Sequence, residues 1–231
     1  MVNAGSPTRR PTWRYTADTM KTLNLPILGD AVPVRGWWLG RAIGWAILKT
    51  AQWSFAGGVP NVSKAVIIVA PHTSNWDFVV GAAAMLAADL DVRWLGKHTL
   101  FEGPLAPLMN GLGGIPVNRS QPGRGVVEEM AELIKAEDHL MLALAPEGTR
   151  SRVDRWKTGF HRIALAGGVP IIPAALDYRT REIRFGPPVV PCNDTESDVA
   201  RLQLFFSTAQ GKTRETPNNR ETGSAEEAHC E

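Results

Sequence analysis

The stretch 64-KAVIIVAPHTSNWDFVVGAAAMLAA-88 changes character twice within 25 residues. Ala65 to Ala70 is an uninterrupted apolar run rich in β-branched residues, the pattern of a strand buried on both faces. A polar turn follows, and Phe78 to Ala88 is then apolar over a length that suits a helix better than a strand. The same rhythm recurs downstream. Val92 to Leu95 precedes a helical pattern at Leu105 to Leu112, Ile115 to Val117 precedes Gly125 to Ala136, His139 to Ala145 precedes Lys157 to Ala166, and Val169 to Leu176 closes the series. Strands alternating with helices predict an α/β fold with a mostly parallel central sheet flanked by helices. The segment 174-AALDYRTREIRFGPPVV-190 alternates around a polar middle and predicts a hairpin or edge strands, and residues 194–210 predict one more helix.

Around this unit the chain divides by composition. Residues 1–35 form a polar, Pro-containing lead, with order expected from about Gly36, and 212–231 is a polar tail expected to be disordered. Residues 36–60 predict an amphipathic helix that holds Trp37, Trp38, Trp45 and Trp53, half of the eight tryptophans. Its charges and glycines make it a poor bilayer span, since about 20 predominantly apolar residues are needed. Two readings stand for it: a helix lying among lipid headgroups, or one that packs its tryptophans on the core. The 25 Lys and Arg against 23 Asp and Glu, without a basic stripe, argue against nucleic-acid binding. Only Cys192 and Cys230 occur, which argues against a disulfide framework or a cysteine-based metal site. The start of the sequence lacks the apolar core of a signal peptide, so a protein on the cytoplasmic side is expected.

Sites of open parallel sheets lie at the carboxyl ends of strands, which directs attention to the residues after each apolar run. The first run delivers Pro71-His72, the second Gly96-Lys97-His98, the third Asn118-Arg119 and the fourth Pro146-Glu147-Gly148-Thr149-Arg150. If Thr73 or Ser74 caps the following helix, His72 lies in the turn and Asp77 in the first helical turn, where the two side chains can converge. Within one continuous helix they would point about 140° apart. Asp77 would then hold one ring nitrogen of His72 and leave the other to take a proton from a substrate hydroxyl. The plain alternative is a polar histidine beside an aspartate that only complements the helix dipole. In 146-PEGTRSR-152, arginines and loop N–H groups suit a phosphate, against the alternative of a solvated turn in which Glu147 pairs with Arg150 or Arg152. Lys157 and Arg119 are further cations for the same cleft. No G-x-S-x-G elbow offers a protein nucleophile.

These residues resemble the glycerolipid acyltransferase family typified by bacterial 1-acylglycerol-3-phosphate acyltransferase. Four blocks match in order over roughly residues 64–190: 72-HTSNWD-77 is similar to the family's His-x4-Asp block, 113-GGIPVNR-119 to its glycine-rich turn ending in arginine, 146-PEGTRS-151 to its Pro-Glu-Gly-Thr-Arg-Ser block, and 169-VPIIP-173 to its Val-Pro-Ile-x-Pro block. Two positions depart from the pattern. Pro71 stands where many members have asparagine, and Leu-Ala precedes the third block in place of the commoner aromatic and apolar pair. The resemblance makes 61–211 the catalytic domain and implies that His72 is the general base, oriented by Asp77. An acceptor hydroxyl would attack the thioester of acyl-CoA or acyl-carrier protein, used as cosubstrate with no cofactor and no metal. It further implies a substrate-binding set of Lys97, Arg119, Glu147, Gly148, Thr149, Arg150 and Lys157, and an acyl region lined or supported by Val169, Pro170, Ile171 and Pro173. The expected acceptor is a lysophospholipid, first 1-acyl-sn-glycerol-3-phosphate, and the expected setting is a peripheral (monotopic) enzyme at a membrane surface. The alternatives are another lysolipid or glycolipid acceptor, a thioesterase-like hydrolase in which His72 activates water, and a lipid-binding module without turnover.

Overall fold

The computed structural model describes residues 24–117, 125–148 and 155–212. The elements run α1 (Trp38–Thr50), β1 (Ser54–Ala56), β2 (Lys64–Ala70), α2 (Asn75–Ala87), β3 (Val92–Lys97), a 3-10 turn (His98–Phe101), α3 (Ala106–Gly111), β4 (Gly114–Val117), α4 (Val126–Ala136), β5 (Leu140–Leu144), α5 (Gly159–Gly167), β6 (Ile171–Asp177), β7 (Glu182–Phe185) and α6 (Thr195–Phe206). The seven strands form one sheet in the order β1-β7-β6-β2-β5-β3-β4. β6, β2, β5, β3 and β4 are mutually parallel, whereas β7 returns antiparallel to β6. This is the α/β architecture that the alternating pattern predicts, and the 174–190 segment supplies the hairpin. Because β5 enters between β2 and β3, the chain reverses its direction of travel across the sheet beside β2, which makes the ends of β2 and β5 a topological switch point.

Successive side chains of a strand point to opposite faces, and β2 divides its core accordingly. Ile67 packs with Val80, Trp94, Met141 and Leu176 on the face covered by α1 and α2. Val66 and Ile68 pack with Ile134, Phe160, Ile171 and Leu202 on the face covered by α4, α5 and α6. Each such fully buried aliphatic or aromatic side chain contributes about 1.5–3 kcal/mol relative to exposure. On the second face His161 Nε2 meets Asp198 Oδ2 at 3.0 Å, both side chains fully buried, and so fastens α5 to α6. Asp198 also accepts the Cys192 N–H at 2.8 Å. Burial pushes the Asp198 carboxyl upward, but the bonds from Cys192 and His161 and the charge of His161 outweigh it and hold it below its ordinary value.

Two expected boundaries move. The helix expected over 36–60 stops at Thr50, because Ser54–Ala56 leaves it to pair with β7, and Trp53 turns into the core at 4% exposure. The lead expected over 1–35 is ordered before Gly36. Val32 is buried, Val34 bridges Leu90, and the Arg35 guanidinium donates to the Val92 carbonyl at the start of β3 and to the Gly111 and Leu112 carbonyls at the end of α3. Those last carbonyls of a helix have no intrahelical partner, so a cation there satisfies both hydrogen bonding and the dipole. The polar tail, apart from Lys212, lies outside the described residues.

Candidate active site

In register, Ile68 of β2 lies opposite Leu144 of β5. A few residues beyond, the two strand ends bring His72 and Glu147 together: Glu147 Oε2 accepts the His72 backbone N–H at 3.0 Å. The peptide between Ala70 and Pro71 is cis. The bond to Glu147 anchors the His72 loop to the end of the neighbouring strand.

That helix begins as the sequence predicts. Ser74 is the N-cap of α2, its Oγ accepting the Trp76 N–H at 3.2 Å, and Asp77 Oδ2 returns the arrangement by accepting the Ser74 N–H at 2.7 Å. The same Oδ2 accepts the Thr73 N–H at 2.7 Å and faces His72 Nδ1 at 3.4 Å. The two readings of Asp77, helix-start acceptor and partner of His72, thus coexist on one oxygen. The Asp77 side chain is 1% exposed, and that of His72 is 23% exposed. With Nδ1 turned toward the carboxylate, proton exchange with a substrate would run through Nε2.

The other oxygen of Asp77 is occupied by a residue that the motif spacing did not reveal. Tyr178 Oη donates to Asp77 Oδ1 at 2.7 Å, across 101 positions of sequence. Tyr178 directly follows the carboxyl end of β6, the kind of position at which sites of parallel sheets gather. Its ring meets Trp53 edge-on with centroids 4.8 Å apart, and its backbone N–H bonds to the Gln210 carbonyl at 2.8 Å. Burial first, then the bond to Asp77 and its charge, raise the phenol's pKa far above the ordinary tyrosine range, so it is a neutral donor.

The remaining expected residues fall into three groups. Lys157 and Gly148 join the Glu147 turn: Lys157 N–H bonds to the Pro146 carbonyl at 2.9 Å, and its side chain lies over Gly148 so closely that a Cβ there would be 2.8 Å from Lys157 Cδ. Gly148 has φ +65°, a left-handed conformation natural to glycine. Lys97 is exposed at the carboxyl end of β3. Arg119, Thr149 and Arg150 lie outside the described residues. Val169 and Pro170 lead into β6, and Ile171 and Pro173 lie at its start, where Ile68 is level with Pro173, upstream of the His72 end. Val169 and Ile171 are buried in the core on the face covered by α4, α5 and α6, Pro173 is buried, and Pro170 is half-buried. Beside His72, Trp76 is 56% exposed with Lys212 Nζ 4.5 Å from its ring centroid, and Gly211 passes close to the Thr73 side chain.

A histidine with a buried carboxylate behind it, at a topological switch point, is an arrangement suited to moving a proton at the free face of its ring. A family model described as Acyltransferase matches residues 56–177, more than half of the chain, and the chain belongs to that family. Three relatives carry the name 1-acyl-sn-glycerol-3-phosphate acyltransferase. The Escherichia coli protein is 30% identical over 123 residues, covering 51% of this chain and 49% of its own. The Streptococcus pneumoniae protein is 25% identical over 194 residues, covering 76% and 72%. That of Limnanthes douglasii is 32% identical over 126 residues, covering 52% and 43%. The matched region thus spans about half the length of the E. coli and Limnanthes proteins. In fold, the chain is similar to the crystal structure of the 1-acyl-sn-glycerophosphate (LPA) acyltransferase PlsC from Thermotoga maritima, with a TM-score of 0.53 and 16% identity over 72% of this chain and 75% of that one.

Proposed function

We propose that this protein moves a fatty acyl group from acyl-CoA or acyl-carrier protein to the hydroxyl of a lysophospholipid, with 1-acyl-sn-glycerol-3-phosphate as the first acceptor and phosphatidic acid as its product. The observation that carries this reading is the His72–Asp77 contact at 3.4 Å, anchored by Glu147, within a chain of the Acyltransferase family. His72 Nε2 takes the acceptor's proton as its oxygen attacks the thioester carbonyl. The tetrahedral intermediate collapses with cleavage of the C–S bond, and the leaving sulfur takes that proton back from the imidazolium. One ester and one free thiol result, without a cofactor. Lys97, Lys157, Arg119, Thr149 and Arg150 would supply cations and donors for the acceptor phosphate, alongside Gly148 and Glu147.

Thiol release from acyl-CoA that requires the lysolipid supports transfer, and release without any acceptor would identify a hydrolase instead. His72→Ala should lower the rate by about 10²–10⁴, the usual contribution of a general base. An unaltered rate would sink the mechanism.

The same reading places the protein peripherally on the cytoplasmic side of a membrane. Among the described residues no helix is long and apolar enough to cross a bilayer. Trp37, Trp38, Leu39, Ile43 and Ile47 of the α1 region are exposed, while Gly40, Gly44 and Leu48 form its packed side. Arg41 and the Trp37 N–H both reach Asp89, just past the end of α2, so α1 runs antiparallel to α2 toward the end that bears exposed Trp76 and Val79. An apolar, Trp-bearing surface with Lys49 and Arg41 beside it suits the headgroup region.

A further inference from the structure

We propose that Tyr178 is a positioning residue for the reaction, a third member behind His72 and Asp77 that holds the carboxylate in the rotamer from which Oδ2 serves the histidine. The inference rests on the acyl-transfer reading of His72 and extends it to a residue outside the four motif blocks.

A carboxylate turns easily about its last side-chain bond, so a fixed orientation needs each oxygen to have its own partner. Oδ2 has three on one side: the Thr73 and Ser74 N–H groups at 2.7 Å each, and His72 Nδ1. Oδ1 faces away from the loop, and there the Tyr178 hydroxyl at 2.7 Å is a short bond to an ionised acceptor. Tyr178 is itself held on two sides, by the edge contact with Trp53 and by its backbone bond to Gln210. Gln210 is tied in turn, its N–H bonding to Asp177 Oδ1 at 3.3 Å. The hydroxyl is therefore presented from just beyond β6 by a residue held at both its ring and its backbone. Such a donor also withdraws charge from the carboxylate, which limits how strongly Asp77 stabilises a protonated His72. Geometry and proton affinity at His72 thus both depend on Tyr178, although Tyr178 does not touch the histidine.

Tyr178→Phe tests this, because phenylalanine keeps the ring against Trp53 and removes only the hydroxyl. In the full chain, the His72 ring signal, identified by its loss in His72→Ala, is titrated by NMR in the wild type and in Tyr178→Phe. With Oδ1 released, more negative charge faces His72, and its pKa should rise by about half a unit or more. In the thiol-release assay with palmitoyl-CoA and 1-oleoyl lysophosphatidate, kcat should fall about 10-fold, well short of losing the base itself, with KM little changed and the acidic limb of the pH profile moved upward. A residue that is only structural would lower the melting temperature and leave the His72 titration where it was. An unchanged His72 pKa overturns the proposal, whatever the rate does. The titration needs no substrate, so it remains decisive if the acceptor is another lysolipid; failure of the acyl-transfer reading would show separately, as activity that survives His72→Ala.

Discussion

Replacing Asp77 with asparagine leaves the shape of the side chain and changes what its two oxygens can accept. Oδ2 takes two backbone N–H groups besides facing His72, and Oδ1 takes a hydroxyl that can also accept, so the amide fits with its oxygen on the loop and its NH2 on Tyr178, but without the negative charge that strengthens every one of these bonds. Asp77→Asn should therefore cost about 1 kcal/mol of stability through the weakened start of α2, and activity by the 10²-fold or more of a misoriented base. Thermal unfolding and kcat/KM measured on one preparation separate the two effects. The pair itself was legible in the sequence because five residues, a polar turn and a serine N-cap are local chemistry. Glu147 was legible as a site residue but not in its contact, since its bond to the His72 N–H depends on β2 and β5 being neighbours.

At the scale of elements, α1 lies against α2 through glycine. A Cβ on Gly44 would come within 2.5 Å of Ala87 N and 2.6 Å of Ala83 O, closer than any real contact, and backbone atoms cannot rotate away. Gly44→Ala should force the helices apart at a cost of about 1–3 kcal/mol, read as a lower melting temperature. The sequence shows an amphipathic helix here, but it shows neither the glycine seam nor the stop at Thr50. The stop is set by the pairing of β1 with β7, whose residues lie over 120 positions downstream. The clasp between α5 and α6 adds a pH dependence. The Asp198 carboxyl lies below its unfolded value, so its stabilising contribution is present above about pH 4 and is lost as pH falls further, through the folded pKa. Acid unfolding of Asp198→Ala should show this loss already made: lower stability by about 3–5 kcal/mol at neutral pH, and a shallower decline below pH 4.

Membrane contact is a property of the whole molecule, because α1 turns an apolar, Trp-bearing face outward beside a site proposed for lipid. Removing the N-terminal segment would be a poor test, because Trp53 and Phe55 are core residues and α1 covers the sheet. The paired change Trp38→Glu and Ile43→Glu leaves the packed side of α1 intact. It should lower co-sedimentation with anionic liposomes at least several-fold while thermal unfolding stays near the wild-type value; undiminished sedimentation would move the contact surface elsewhere. By itself the sequence determined the strand and helix alternation, the strand ends as the place of chemistry, and the His72–Asp77 turn, because periodicity, capping and turn residues act over a few positions. Only the tertiary structure decided that β5 enters between β2 and β3, that Trp53 joins the core, and that Tyr178 reaches Asp77. These contacts join residues 49 to 125 positions apart, and which of them form depends on the order of strands in the sheet, a property of packing the whole core rather than of any local stretch.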